Sequence, residues 1–107
     1  MMDIAAWQAR LRAFAEARDW PQFHNPKNLA AALSVESAEL LEIFQWLTPD
    51  QAENVMSSDR AGDVRDEVAD VAIYLLFFLN RTGINLDAAL EDKMRRNEQR
   101  DWTFPAN

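Results

Sequence analysis

Residues 63–79 read Asp63-Val64-Arg65-Asp66-Glu67-Val68-Ala69-Asp70-Val71-Ala72-Ile73-Tyr74-Leu75-Leu76-Phe77-Phe78-Leu79. Residues three and four apart share one face of a helix. Asp63, Glu67, Asp70, Tyr74 and Phe77 therefore form one stripe, while Val64, Val68, Val71 and Leu75 line the adjacent face. From Val71 to Leu79 the helix is apolar all round, which predicts burial on every side and, in so small a chain, contact with a second copy. Two carboxylates one turn apart, Glu67 and Asp70, sit inside this otherwise core-like stripe.

A second stretch repeats the pattern. In Ala32-Leu33-Ser34-Val35-Glu36-Ser37-Ala38-Glu39-Leu40-Leu41-Glu42-Ile43-Phe44-Gln45-Trp46, the residues Ala32, Glu36, Glu39, Ile43 and Trp46 share a face. Its ends are apolar and its middle holds a carboxylate pair. Acids three apart project side by side over one turn, at a separation that one or two hard cations bridge. Magnesium takes a few carboxylates plus water and phosphate oxygens. Four carboxylates facing each other without a cation repel and raise one another's pKa. The plain alternative for any one pair is a solvated surface. Two matched pairs within apolar stripes argue for the cation. A di-iron bundle would carry Glu-x-x-His pairs, and the one histidine, His24, falls in a loop. Zinc is disfavoured by the same histidine count and by the lack of cysteine.

The rest of the chain reads as helix as well. Only Gly62 and Gly83 are glycines, and Ala, Leu, Glu and Arg dominate. A first helix is predicted from about Asp3, its cap, to Arg18, with Ile4, Trp7, Leu11, Phe14 and Ala15 at helical spacing. The aromatic loop Asp19-Trp20-Pro21-Gln22-Phe23-His24-Asn25-Pro26 breaks it. A second helix should run from near Lys27 to Trp46 or Leu47, closed by Thr48-Pro49, with a short helical turn possible between Asp50 and Asp59. The third spans about Arg60 to Arg81 with Gly83 as its stop, and Asn85 caps a fourth from Leu86 to about Gln99. A short tail with Trp102 and Phe104 follows. The expected fold is all-α, an antiparallel four-helix bundle in a single domain over residues 1–107, assembled as an oligomer. Trp7, Phe14, Phe77 and Phe78 are expected in the core or in subunit contacts.

The formal charge of −7, from 18 acidic and 11 basic residues, repels a nucleic-acid backbone. No apolar run is long enough to span a membrane. The first residues lack the layout of a secretion signal, so a cytoplasmic location is the expectation.

Taken in order, these residues resemble the all-α nucleoside triphosphate pyrophosphohydrolases, the MazG-like superfamily, and within it the small dCTP pyrophosphatase branch. The superfamily motif is an E-x-x-E helix followed by E-x-x-D, here Glu36-Ser37-Ala38-Glu39 and Glu67-Val68-Ala69-Asp70. Closer to the dCTP branch are Arg18-Asp19-Trp20-x-x-Phe23-His24-x-Pro26-x-Asn28, Phe44-Gln45-Trp46, Asp70-Val71-x-Ile73-Tyr74-Leu75 and Lys93-Met94-x-x-Asn97-x-x-Arg100. Two departures accompany the match. Val35 stands where a further glutamate is common, and Leu11 stands where some members carry a histidine, which bears on the choice of base.

The resemblance implies a Mg²⁺-dependent hydrolase, with Mn²⁺ as a substitute ion. It converts a nucleoside triphosphate, dCTP or a modified dCTP, to the monophosphate and pyrophosphate. It also implies a dimer or a dimer of dimers. Glu36, Glu39, Glu67 and Asp70 would hold the metal and carry catalysis. Trp20 and Trp46 would flank the base, with His24, Asn28 and Tyr74 nearby, while Lys93, Asn97 and Arg100 would bind phosphates. Glu36, Glu39 and Glu42 are all candidates for the general base. The plainer roles are a hydrophobic cap for each tryptophan, a loop anchor for His24, core for Tyr74 and a solvated side chain for Lys93. A non-enzymatic helical partner-binding module is the alternative function; it accounts for apolar surface and leaves the acidic pairs unexplained.

Overall fold

A computed structural model describes residues 2–101. Its regular elements are all helical among the described residues: α1 (Ile4–Glu16), α2 (Pro26–Phe44), α3 (Pro49–Glu53), α4 (Ala61–Thr82) and α5 (Leu86–Gln99), with 3₁₀ turns at Pro21–Phe23 and Val55–Ser57. The tail residues Trp102 and Phe104 lie outside the described residues.

The boundaries follow local chemistry. Asp3, Asn25 and Asn85 each accept a backbone N–H from the residue three further on, at 2.9 Å, and so cap α1, α2 and α5. Pro26 occupies the first turn of α2, where no N–H is needed. At Thr48 a reciprocal capping box with Gln51 opens α3. Gly83 ends α4 in the left-handed region, φ 72°, donating to the Leu79 carbonyl. The first helix stops two residues short of the expected Arg18. There Asp19 adopts φ 56°, its N–H donates to Glu16 O, and the Trp20 N–H reaches back to Ala15 O at 3.1 Å. This is a Schellman closure with Asp in the usual glycine position. It draws the Trp20 backbone against the end of α1.

The core sits where α1 and α2 pack on α4. Leu11, Ala15, Leu29, Leu76, Phe77 and Leu79 are buried there, with Ile73, Tyr74, Trp20 and Phe78 packed around them. The apolar stretch of α4 is thus largely covered within its own chain: Leu76, Phe77 and Leu79 are buried and the rest half-buried. The large apolar side chains left exposed lie elsewhere. On α2 these are Val35 and Leu41, with Trp46 just beyond, and Val68 lies on α4. Phe14 and Trp7 are also half exposed, under the guanidinium groups of Arg18 and Arg10.

Within one chain the four long helices do not close into a bundle. Helix α5 packs along neither α2 nor α4, and none of its residues is buried. Its apolar positions Leu90 and Met94 face outward. The radius of gyration, 17.2 Å, exceeds the roughly 13 Å expected for a compact domain of this length.

Candidate metal centre

Helices α2 and α4 lie side by side and bring their two acidic pairs to one seam. Oxygens of Glu36, Glu67 and Asp70 fall within 4.8 Å of one another. Glu39 adjoins this triple, close enough for its charge to act on both Glu36 and Glu67. All four residues are half-buried.

The seam is costly without a counterion. Glu36 Oε2 and Glu67 Oε2 are both buried, with no hydrogen-bond partner among the described residues. Such an oxygen is destabilising unless something positive or protic meets it. Burial, followed by Glu39 and then the other acids of the cluster, pushes the Glu36 carboxyl above its ordinary value. Burial and the charges of Glu39 and Asp70 do the same to Glu67. An all-oxygen, wholly anionic donor set fits a hard divalent cation.

The remaining sequence candidates fall into three groups. Trp20, His24 and Tyr74 join one aromatic chain: Phe14–Trp20 at 5.4 Å, Trp20–His24 at 6.0 Å, His24–Phe77 at 4.6 Å and Phe77–Tyr74 at 5.7 Å. Tyr74 is one turn from Asp70, so this chain leads away from the carboxylates along α4. Phe77, read from the sequence as core, is its junction. Asn28 is engaged locally, its Nδ2 donating to Phe23 O at 3.0 Å and so bracing the aromatic loop.

Trp46 is 86% exposed just past the other end of α2. Sixteen residues separate Asn28 from Phe44, about 24 Å at 1.5 Å per residue. Trp20 and Trp46 therefore do not flank a common base within one chain. Lys93, Asn97 and Arg100 ride on or just after α5, which does not pack against the carboxylate helices.

The MazG-like family profile matches residues 31–102, a span that holds both carboxylate pairs. The chain belongs to the MazG-like family. Its similarity to the dCTP pyrophosphatase branch is also direct. Human dCTP pyrophosphatase 1 is 41% identical over 101 residues, covering 92% of this chain and 57% of the human protein. The rat protein of the same name is 40% identical over 93 residues, 85% of this chain and 55% of its own length. The chain thus spans little more than half the length of these curated relatives. A pyrophosphatase from Archaeoglobus fulgidus of known structure shares 45% identity and superposes with a TM-score of 0.82, covering 89% of this chain and 88% of its own.

The raised carboxyls set a pH dependence. A group whose folded pKa lies above its unfolded value stabilises the fold while protonated, and that contribution is lost as pH rises. Without divalent cations, thermal stability should fall as pH climbs above 4.5, the ordinary carboxyl value here. Glu36→Gln should flatten this fall, and Mg²⁺ should restore stability at neutral pH. Parallel melting curves for the parent and Glu36→Gln across pH would contradict the strained seam.

Proposed function

We propose that this MazG-like chain hydrolyses a nucleoside triphosphate, dCTP or a modified dCTP, to the monophosphate and pyrophosphate with Mg²⁺ (or Mn²⁺) bound at the carboxylate seam. The observation that carries the reading is the pair of buried, unpartnered oxygens on Glu36 and Glu67, two residues from neighbouring helices that cluster with Asp70. The identities to dCTP pyrophosphatase 1 support the choice of substrate.

Glu36, Glu67 and Asp70 would hold the metal, with Glu39 beside them. Bound there, the ion supplies neutralisation of phosphate charge and a more acidic water. With the ion held there, the two helices would position the α-phosphate for attack by water with pyrophosphate as the leaving group. Glu39 adjoins the triple rather than joining it, which leaves its carboxylate available to take the water's proton. Tyr74 and the ring chain through Phe77 to His24 and Trp20 give the base and sugar an aromatic wall one turn from Asp70.

A panel of canonical and modified triphosphates, scored for pyrophosphate release, tests the reaction. Turnover of dCTP or a modified dCTP is expected, and Glu39→Ala or Asp70→Ala should lower it by about 100-fold or more with helical content unchanged. Orthophosphate as product, or full activity in Asp70→Ala, would refute the assignment.

The same reading includes a homo-oligomer, a dimer or a dimer of dimers, in which helices of different copies complete the bundle. Its support is the exposed Leu41, Trp46, Leu90 and Met94 together with the extended shape. Assembly would let Trp46 and the Lys93, Asn97 and Arg100 group of one copy approach another copy's seam. Light scattering should give a multiple of the 12.3 kDa chain mass, reduced to one chain by Leu41→Glu with Trp46→Glu. A monomeric parent protein would rule the assembly out. The reading places the reaction on a dissolved nucleotide pool in the cytoplasm; no described helix is long and apolar enough to cross a membrane.

A further inference from the structure

The middle of the aromatic chain, His24 and Phe77, borders a cavity that the carboxylates do not line. A space of about 180 Å³ opens between α1, the Pro21–Phe23 turn and the end of α4. The ring of Phe77 forms an apolar wall, and Arg12, Glu16, His24, Asn80 and Arg81 supply its polar lining. Arg81 follows Asp70 by eleven residues on α4, about 16 Å along the axis. A phosphate held at the seam therefore does not touch it.

The lining is organised rather than incidental. Arg12 Nη2 donates to Asn80 Oδ1 at 3.2 Å, and Asn80 Nδ2 donates to the Gln8 carbonyl at 3.0 Å. The asparagine amide is thus committed on both sides and pins the Arg12 guanidinium across the α1–α4 contact. Most of that guanidinium's five N–H donors stay available. Among the described residues neither Arg12 nor Arg81 forms an ion pair, although Glu16 lies one turn from Arg12 and lines the same cavity. Burial and the charge of Arg81 keep the His24 imidazole below its usual 6.5, so it is neutral at pH 7. Two guanidinium groups against one carboxylate leave the cavity net positive, in a chain whose formal charge is −7.

Size narrows the ligand. At about 180 Å³ the cavity is smaller than the 300 Å³ or more of pockets for larger organic ligands. A single phosphate or a pyrophosphate matches that space, and a whole nucleotide would extend out of it. Guanidinium forks match phosphoryl oxygens in both geometry and charge. We propose that this cavity is an oxyanion site, taking inorganic phosphate or pyrophosphate between Arg12 and Arg81, apart from the carboxylate seam.

The chain has a single histidine and it lines the cavity, so with nucleotide left out of the titration its imidazole resonance reports on anion entry. The full chain in EDTA is titrated with inorganic phosphate and, separately, with pyrophosphate, with sodium chloride at matched ionic strength as reference. A saturable His24 shift is expected, weakened about tenfold or more by Arg81→Gln, the loss of one charge-assisted contact. Arg81 is exposed and in no described ion pair, so this variant keeps the fold. Glu39→Gln should leave the binding curve in place, which separates the cavity from the seam. Saturation by phosphate, pyrophosphate or both supports the site and identifies its occupant. A shift that sodium chloride reproduces, that fails to saturate, or that Arg81→Gln leaves intact would overturn it.

Discussion

Mutual repulsion among four carboxylates, held half-buried between two packed helices, is the constraint around which the rest of the molecule is arranged. Glu36 and Glu39 come from α2, Glu67 and Asp70 from α4, and the oxygens of three of them converge within 4.8 Å. Removing these charges from water opposes folding. The apolar packing beside them, with Leu29 only 1% exposed and Leu76, Phe77 and Leu79 buried, holds the helices together despite that cost. A hard cation turns the same arrangement from a liability into a preformed site.

Direction along α4 organises the neighbouring chemistry. One face carries Glu67 and Asp70, then Tyr74 and Phe77, then Arg81, at successive three- and four-residue steps. Anionic, aromatic and cationic surroundings thus follow one another along a single helix. The Schellman closure at Asp19 delivers Trp20 to the middle of this series, and His24 meets Phe77 from the same loop. In the proposed reaction the aromatic segment meets the base, while the arginine cavity beyond it belongs to a separate, smaller anion.

Much of this was legible in the sequence because it is local. A carboxylate pair at spacing three inside an apolar stripe needs only helical periodicity to be noticed. The caps Asp3, Asn25 and Asn85 and the stop at Gly83 are signalled by residue type at a helix edge. What escaped the sequence depends on distant residues or on rare backbone states. Asp19 in the left-handed region, where glycine is usual, ended α1 early. The bond between Arg12 and Asn80 joins residues 68 positions apart, and no periodicity announces it. The stand-off of α5 was hidden as well, since Leu90 and Met94 satisfy a helical stripe whether their cover comes from the same chain or another. The separation of Trp20 and Trp46 within one chain was hidden too, because order along a chain does not reveal that α2 keeps them a helix-length apart.

The most direct test of the central claim is a crystal structure with Mn²⁺ and a non-hydrolysable dCTP analogue, using anomalous scattering to find the ion. A peak is expected between Glu36, Glu67 and Asp70, bonded to their oxygens at about 2.0–2.3 Å and to the analogue's phosphates. Ordered nucleotide phosphates away from these carboxylates, or a peak coordinated elsewhere with the seam left to protons and water, would contradict it.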